Sequence, residues 1–158
     1  MGRKGTKLCS GAVALAVALV LAVAACGGDG RLSKAQYEQK LKESGQELTT
    51  ALRHVTSSRS KDQFKRAVDD VETALNDVAD KLDGVTPPQD VEGANRRVVD
   101  GFRRLADEFE TVKAAADKGP DAARQAGRKI TASAASREAN LAIQEIKRRG
   151  YDVGELGA

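Results

Sequence analysis

The thiol and imidazole groups of this 158-residue chain are Cys9, Cys26 and His54. Cys9 stands inside an apolar run, and Cys26 ends that run after Val23-Ala24-Ala25, an aliphatic residue followed by two small ones. The sequence around His54 supplies neither the converging ligands of a metal site nor the nucleophile and orienting acid of a general base. It reads as a surface residue near a helix end. Asp69, Asp70, Glu72, Asp77, Asp80 and Asp83 are strung along a helix, whereas a calcium loop needs ordered ligands on a tight turn, so they read as a solvated face. Arg96, Arg97, Arg103 and Arg104 are heptad-spaced and invite phosphate binding. Asp100, Asp107 and Glu108 follow three of them at four residues, which predicts salt-laced surface instead. The patterns H-E-x-x-H, C-x-x-C-H, G-x-S-x-G, Glu-x-x-His and the Walker loop are all missing. The chain is expected to be non-enzymatic, with no catalytic residue, no metal and no cofactor.

The run that ends at Cys26 is the more telling stretch. Arg3, Lys4 and Lys7 precede an uncharged segment, Leu8 to Ala25, giving a cationic start and an apolar core. Its 18 residues are just enough for a membrane span, so length alone does not separate a cleaved signal from an anchor. Val23-Ala24-Ala25-Cys26 resembles the lipobox of bacterial lipoproteins, in which the cysteine receives a diacylglyceryl group before cleavage on its amino side. The resemblance implies a signal peptide over 1–25 and a mature chain held in the cell membrane through lipid on Cys26, since two acyl chains suffice for stable anchoring. Ala22-Val23-Ala24 also fits a plain cleavage site, and an uncut signal anchor is the third reading. In each case the positive start stays inside and the remainder lies on the extracytoplasmic face.

Setting the signal aside changes the composition. The full chain carries 26 Lys+Arg against 23 Asp+Glu, and the signal holds three of the bases and none of the acids. The mature part is therefore formally neutral, and a general electrostatic grip on nucleic acid has no support. With Cys26 lipidated it also has no free thiol or disulfide, so stability must come from packing. Residues 26–158 suit one domain with an aliphatic, Ala-rich core. Cys26 and a flexible tether cover 26–32, with Gly27-Gly28-Asp29-Gly30 giving the flexibility.

Four helices follow over 33–150. Ser33 with Gln36, and Ser60 with Gln63, have capping-box spacing. Tyr37, Leu41, Leu48, Leu52 and Val55 form the first apolar stripe, with Ser44-Gly45 as a weak spot. Phe64, Val68, Val71, Leu75, Val78, Leu82 and Val85 alternate by four and three, the seam of a helix packed on helices. Thr86-Pro87-Pro88 ends it as a hinge or a stiff connector. Val91, Val98, Phe102, Leu105, Phe109, Val112 and Ala116 continue the rhythm, with polar Asn95 on the seam able to fix register. After Gly119-Pro120, a fourth helix is expected from Asp121 to Arg149. Its stripe of Ile130, Ala134, Leu141, Ile143 and Ile146 is narrow and changes phase. Residues 151–158 read as a frayed tail. The expected fold is all-α, an antiparallel four-helix bundle.

Together with the lipobox, Leu32-Ser33-Lys34-Ala35-Gln36-Tyr37 and Leu82-Asp83-Gly84-Val85-Thr86-Pro87-Pro88 resemble the small helical lipoproteins of actinobacteria. Those relatives often carry a cysteine where this chain has Ser44 or Gly45 and a histidine where it has Asn95. The family supports location and fold rather than a reaction. Two expectations follow for function. The first is a tethered, non-enzymatic bundle that meets an envelope protein or the envelope itself. The second is a protein that holds an apolar ligand, such as a lipid, between its helices. A solid core without a pocket favours the first.

Overall fold

A computed structural model describes residues 30–157. The signal segment 1–25 and the lipobox residues Val23, Ala24, Ala25 and Cys26 lie outside the described residues. Ser33 opens the fold as a reciprocal cap: its hydroxyl accepts from the Gln36 amide at 3.4 Å, and Gln36 Oε1 accepts from the Ser33 amide at 2.9 Å. Helix α1 (Lys34–Ser57) follows. The Ser60 hydroxyl caps α2 (Lys61–Asp83) by accepting from the Gln63 amide at 3.2 Å. A 3₁₀ turn, Gln89–Val91, leads into α3 (Glu92–Ala116), then come α4 (Pro120–Thr131), α5 (Ala134–Arg148) and a closing 3₁₀ turn over Gly154–Gly157. Among the described residues there is no strand, and the fold is the expected all-α bundle.

The expected fourth helix is two helices. Ser133 accepts from the Ser136 amide at 3.1 Å and so caps a new helix, while Arg137 donates to the Ala132 carbonyl at 2.5 Å across the break. A serine whose hydroxyl takes a nearby amide offers the backbone an alternative to helix continuation. The break shifts the inward face: Ala135, Ala139, Ala142, Ile143 and Ile146 are buried, whereas Ala134 is exposed and Leu141 is 67 % exposed. Leu52, expected in the first stripe, is likewise 48 % exposed.

Packing runs around a ring. α2 and α3 form the most extensive pair, α1 lies on α2, and α5 and α4 lie on α3. The main core is aliphatic and centred on Leu41, Val71, Val78, Leu82, Val98 and Ile146. Asn95 is buried within it and does what a seam polar residue can do. Its Oδ1 accepts from the Tyr37 hydroxyl at 2.8 Å, and its Nδ2 donates to the Leu82 carbonyl at 3.0 Å. The Leu82 carbonyl lies in the last turn of α2, where helical acceptors need outside donors. One side chain thus sets α1, α2 and α3 in register.

The start of the bundle and its proline connector are tied together. Leu32 donates its amide to the Thr86 carbonyl at 2.8 Å, and Arg31 donates to the Pro87 carbonyl at 3.0 Å and the Glu92 carboxylate at 2.9 Å. The prolines act as the stiff connector, and Arg31 and Leu32, expected in the tether, belong to the bundle. The end of the chain is also not frayed. Tyr151, Val153 and Leu156 are buried, and the segment lies against α1 and α5. Tyr151 stacks edge-on to Tyr37 at 5.8 Å and donates to Asp90 at 2.8 Å. Gly45 makes room for this strap, because a Cβ there would stand 2.8 Å from the Leu156 amide nitrogen. The glycine that costs α1 helix propensity is the one that lets the chain end dock.

Candidate functional site: an apolar cleft between α2 and α4

At the opposite end of the bundle the ring does not close. α4 packs on α3 and only slightly on α5, and a cleft of about 640 Å³ remains between it and α2. That volume lies within the range of small-molecule sites. Phe64 and Val68 line it from α2, Phe109 and Val112 from α3, and Ala123 and Ile130 from α4. Val68, Val112 and Ile130 form a separate small cluster of buried residues, with Phe64 and Phe109 half-buried against it. Gly127 also lines the cleft, and a Cβ added there would meet nothing within 4 Å.

Local sequence explains the position of α4. Gly119 adopts φ 116°, a conformation open to glycine, and turns the chain out of α3 before Pro120 starts the next helix. Ser133 ends α4 after 12 residues. A helix that short has little stability of its own and depends on its packing face, and here that face rests on α3.

Charge collects at the mouth. Asp117, the cap at the end of α3, receives Lys61 Nζ at 2.9 Å on Oδ1 and Lys65 Nζ at 3.0 Å on Oδ2. These hydrogen bonds hold its carboxyl well below the usual range, at about 2. Arg124 pairs with Asp121, and Arg59 makes no ion pair among the described residues. Lys61, Phe64, Lys65 and Val68 recur at i, i+3, i+4 and i+7, so the two lysines share one face of α2 with two cleft-lining apolar residues.

The polar residues singled out in the sequence lie elsewhere. His54 is exposed, its Nδ1 3.6 Å from Asp70. Three of the acids of α2 tie it to α3: Asp69 meets Lys113, and Asp80 and Asp83 meet Arg103 at 2.9 and 3.0 Å. The expected pairing of the α3 arginines along their own helix gives way to pairing across helices, Arg103 to α2, Arg97 to Glu145 and Arg104 to Glu138, both in α5. Arg96 turns back to Glu92. A helix in the middle of the ring has acids of two neighbours within reach. On α4 and at the end of α5, Arg128, Lys129, Lys147 and Arg148 make no ion pair among the described residues.

The cleft was missed in the sequence. Its signals were Gly119-Pro120, the phase change near Ser133 and the weak apolar stripe of α4. Among the described residues, no helix is long and apolar enough to cross a membrane, and no group of three or more His, Cys, Asp or Glu is placed to hold a metal ion. In comparisons with family models, curated proteins and solved structures, the chain finds no match.

Proposed function

We propose that this chain is a lipid-anchored, extracytoplasmic binding protein, without enzymatic activity, that holds an apolar chain between α2 and α4. The observation that carries the reading is the cleft itself: Phe64, Val68, Phe109, Val112 and Ile130 converge on a space that no side chain fills. Burying apolar surface there gains about 25 cal/mol per Å², a favourable contribution for a ligand that brings its own methylenes. The alternative of a solid bundle that only meets an envelope protein loses weight, because it gives the cleft no role.

The anchor rests on Val23-Ala24-Ala25-Cys26. Only three residues, four Cα-to-Cα steps, separate Cys26 from Gly30, so lipid on Cys26 would lie within about 14 Å of the bundle's near end. The cleft is at the far end of α1, about 36 Å along its 24 residues. The bundle thus offers its cleft away from its own attachment point. Cys26→Ala is expected to leave the protein uncut or release it from membranes, read by fractionation; normal processing and retention would remove the lipoprotein part of the proposal.

Gly127→Phe tests the ligand part. The side chain enters open space, and the loss of a mid-helix glycine favours α4 by up to roughly 1 kcal/mol. The full chain isolated from its native membrane should carry an extractable lipid, and the variant should lose it while unfolding at the same or a higher temperature. Equal lipid content in both proteins would refute the cleft as the site.

A further inference from the structure

Building on the cleft as an apolar site, we infer that its ligand is a long-chain carboxylate whose headgroup takes the place of Asp117 between Lys61 and Lys65. The mouth already holds one carboxylate in that position, with an ammonium group at 2.9 Å and another at 3.0 Å. The two lysines alternate with Phe64 and Val68 on one helical face, so a single ligand with a carboxylate at one end and methylenes behind it matches the face from mouth to interior.

Asp117 is a replaceable occupant. It stands at the C-terminal end of α3, where the helix field disfavours an anion. Its side chain and that of Lys61 are each 54 % exposed and that of Lys65 is 30 % exposed, and ion pairs in such surroundings contribute little to stability. Exchange of one carboxylate for another therefore costs the fold little. The depressed proton affinity of Asp117 reports the same positive potential from the lysines that an incoming headgroup would meet. Asp117 also begins the turn through Gly119 into α4, so releasing it frees the segment that carries the far wall of the cleft.

The test uses the full chain in discs of zwitterionic lipid. It is labelled by a photoreactive long-chain acid or by the alcohol of the same chain, and cross-links are mapped on α2 and α4. The ratio of half-saturating concentrations, alcohol over acid, is the readout. The acid should be preferred; Lys61→Gln and Lys65→Gln should each lower the ratio about threefold, and Asp117→Asn should raise it about threefold by removing the internal competitor. A ratio indifferent to all three substitutions, with cross-links still on α2 and α4, would overturn the carboxylate inference and leave the apolar site standing. If neither probe labels α2 or α4, the site itself is refuted and the inference falls with it. Urea unfolding of each variant establishes that the ratio is read on folded protein.

Discussion

The space between the first hairpin and the last helical pair is filled at one end of the bundle and open at the other. At the near end the strap of Tyr151, Val153 and Leu156 lies between α1 and α5, with Tyr151 edge-on to Tyr37 and bonded to Asp90. At the far end there is no strap among the described residues; α4 rests on α3, and the corresponding space toward α2 is the cleft. Both ends present apolar side chains to the gap. The difference is that, among the described residues, the chain supplies an occupant for one and none for the other.

The strap offers the largest way to break this comparison. Ending the chain after Gly150 removes three buried side chains and should cost roughly 3–4 kcal/mol, part of their burial being offset by the order that the strap no longer needs. Urea unfolding measures it; a loss below about 1 kcal/mol would mean the strap is no part of the core. Matched truncations sharpen the contrast. Ile146 is fully buried at the filled end and Ile130 is buried beside the cleft. Ile146→Ala should cost about 3–4 kcal/mol and Ile130→Ala about 1–2 kcal/mol, because a truncation cavity that merges with an open cleft forfeits fewer contacts. Equal costs would show that the two ends are packed alike.

A smaller effect is expected within the register node. Tyr37→Phe leaves Asn95 Oδ1 without its donor in a buried site, at about 1–2 kcal/mol. The Tyr37 hydroxyl is pushed up in pKa by burial, then by Tyr151, and that of Tyr151 is pushed up to about 12 by burial and by its bond to Asp90. The filled end should therefore keep its hydrogen bonds through the alkaline range in which free tyrosine ionises.

The smallest effect belongs to the mouth of the open end. The folded pKa of Asp117, about 2, lies below its ordinary 3.8, so its ion pairs stabilise the fold above about 3.8 and are lost as pH falls through about 2. The distance from α2 to the α3–α4 turn, read by a pair of spin labels, should be constant from neutral pH down to about 4 and increase below that. Asp117→Asn should show no such transition in that window, and a transition near neutral pH in the native chain would contradict the assignment.

Much of the filled end was legible in the residues. The four-and-three spacing from Phe64 to Leu82 gave α2 and its buried face, Ser33 with Gln36 gave the start of α1, and polar Asn95 on an apolar seam marked the node. The strap was not legible, because its few apolar residues, Tyr151, Val153 and Leu156, are interspersed with glycines and acids at no regular helical period; only the vacancy at Gly45, a tertiary fact, makes them a core element. The break at Ser133 was written as a phase change in the apolar stripe, but alanine on both sides concealed it. The cleft is the least legible feature, since it arises where side chains are lacking rather than where they are present. Glu108 belongs to the same class: its Oε2 is enclosed without a hydrogen-bond partner, although the sequence pairs it with Arg104. Arg104 bonds Glu138 of α5 instead.

Amide hydrogen exchange on the full chain, with and without a long-chain carboxylate, tests the central contrast most directly. The account predicts that α4 exchanges much faster than α5 in the free protein, because opening α4 exposes a small cluster and opening α5 exposes the main core. It also predicts that the ligand slows α4 and the first turns of α2 while leaving α5 and the strap unchanged. If α4 is as protected as α5 and the ligand changes neither, the far end is as closed as the near one, and the account is wrong.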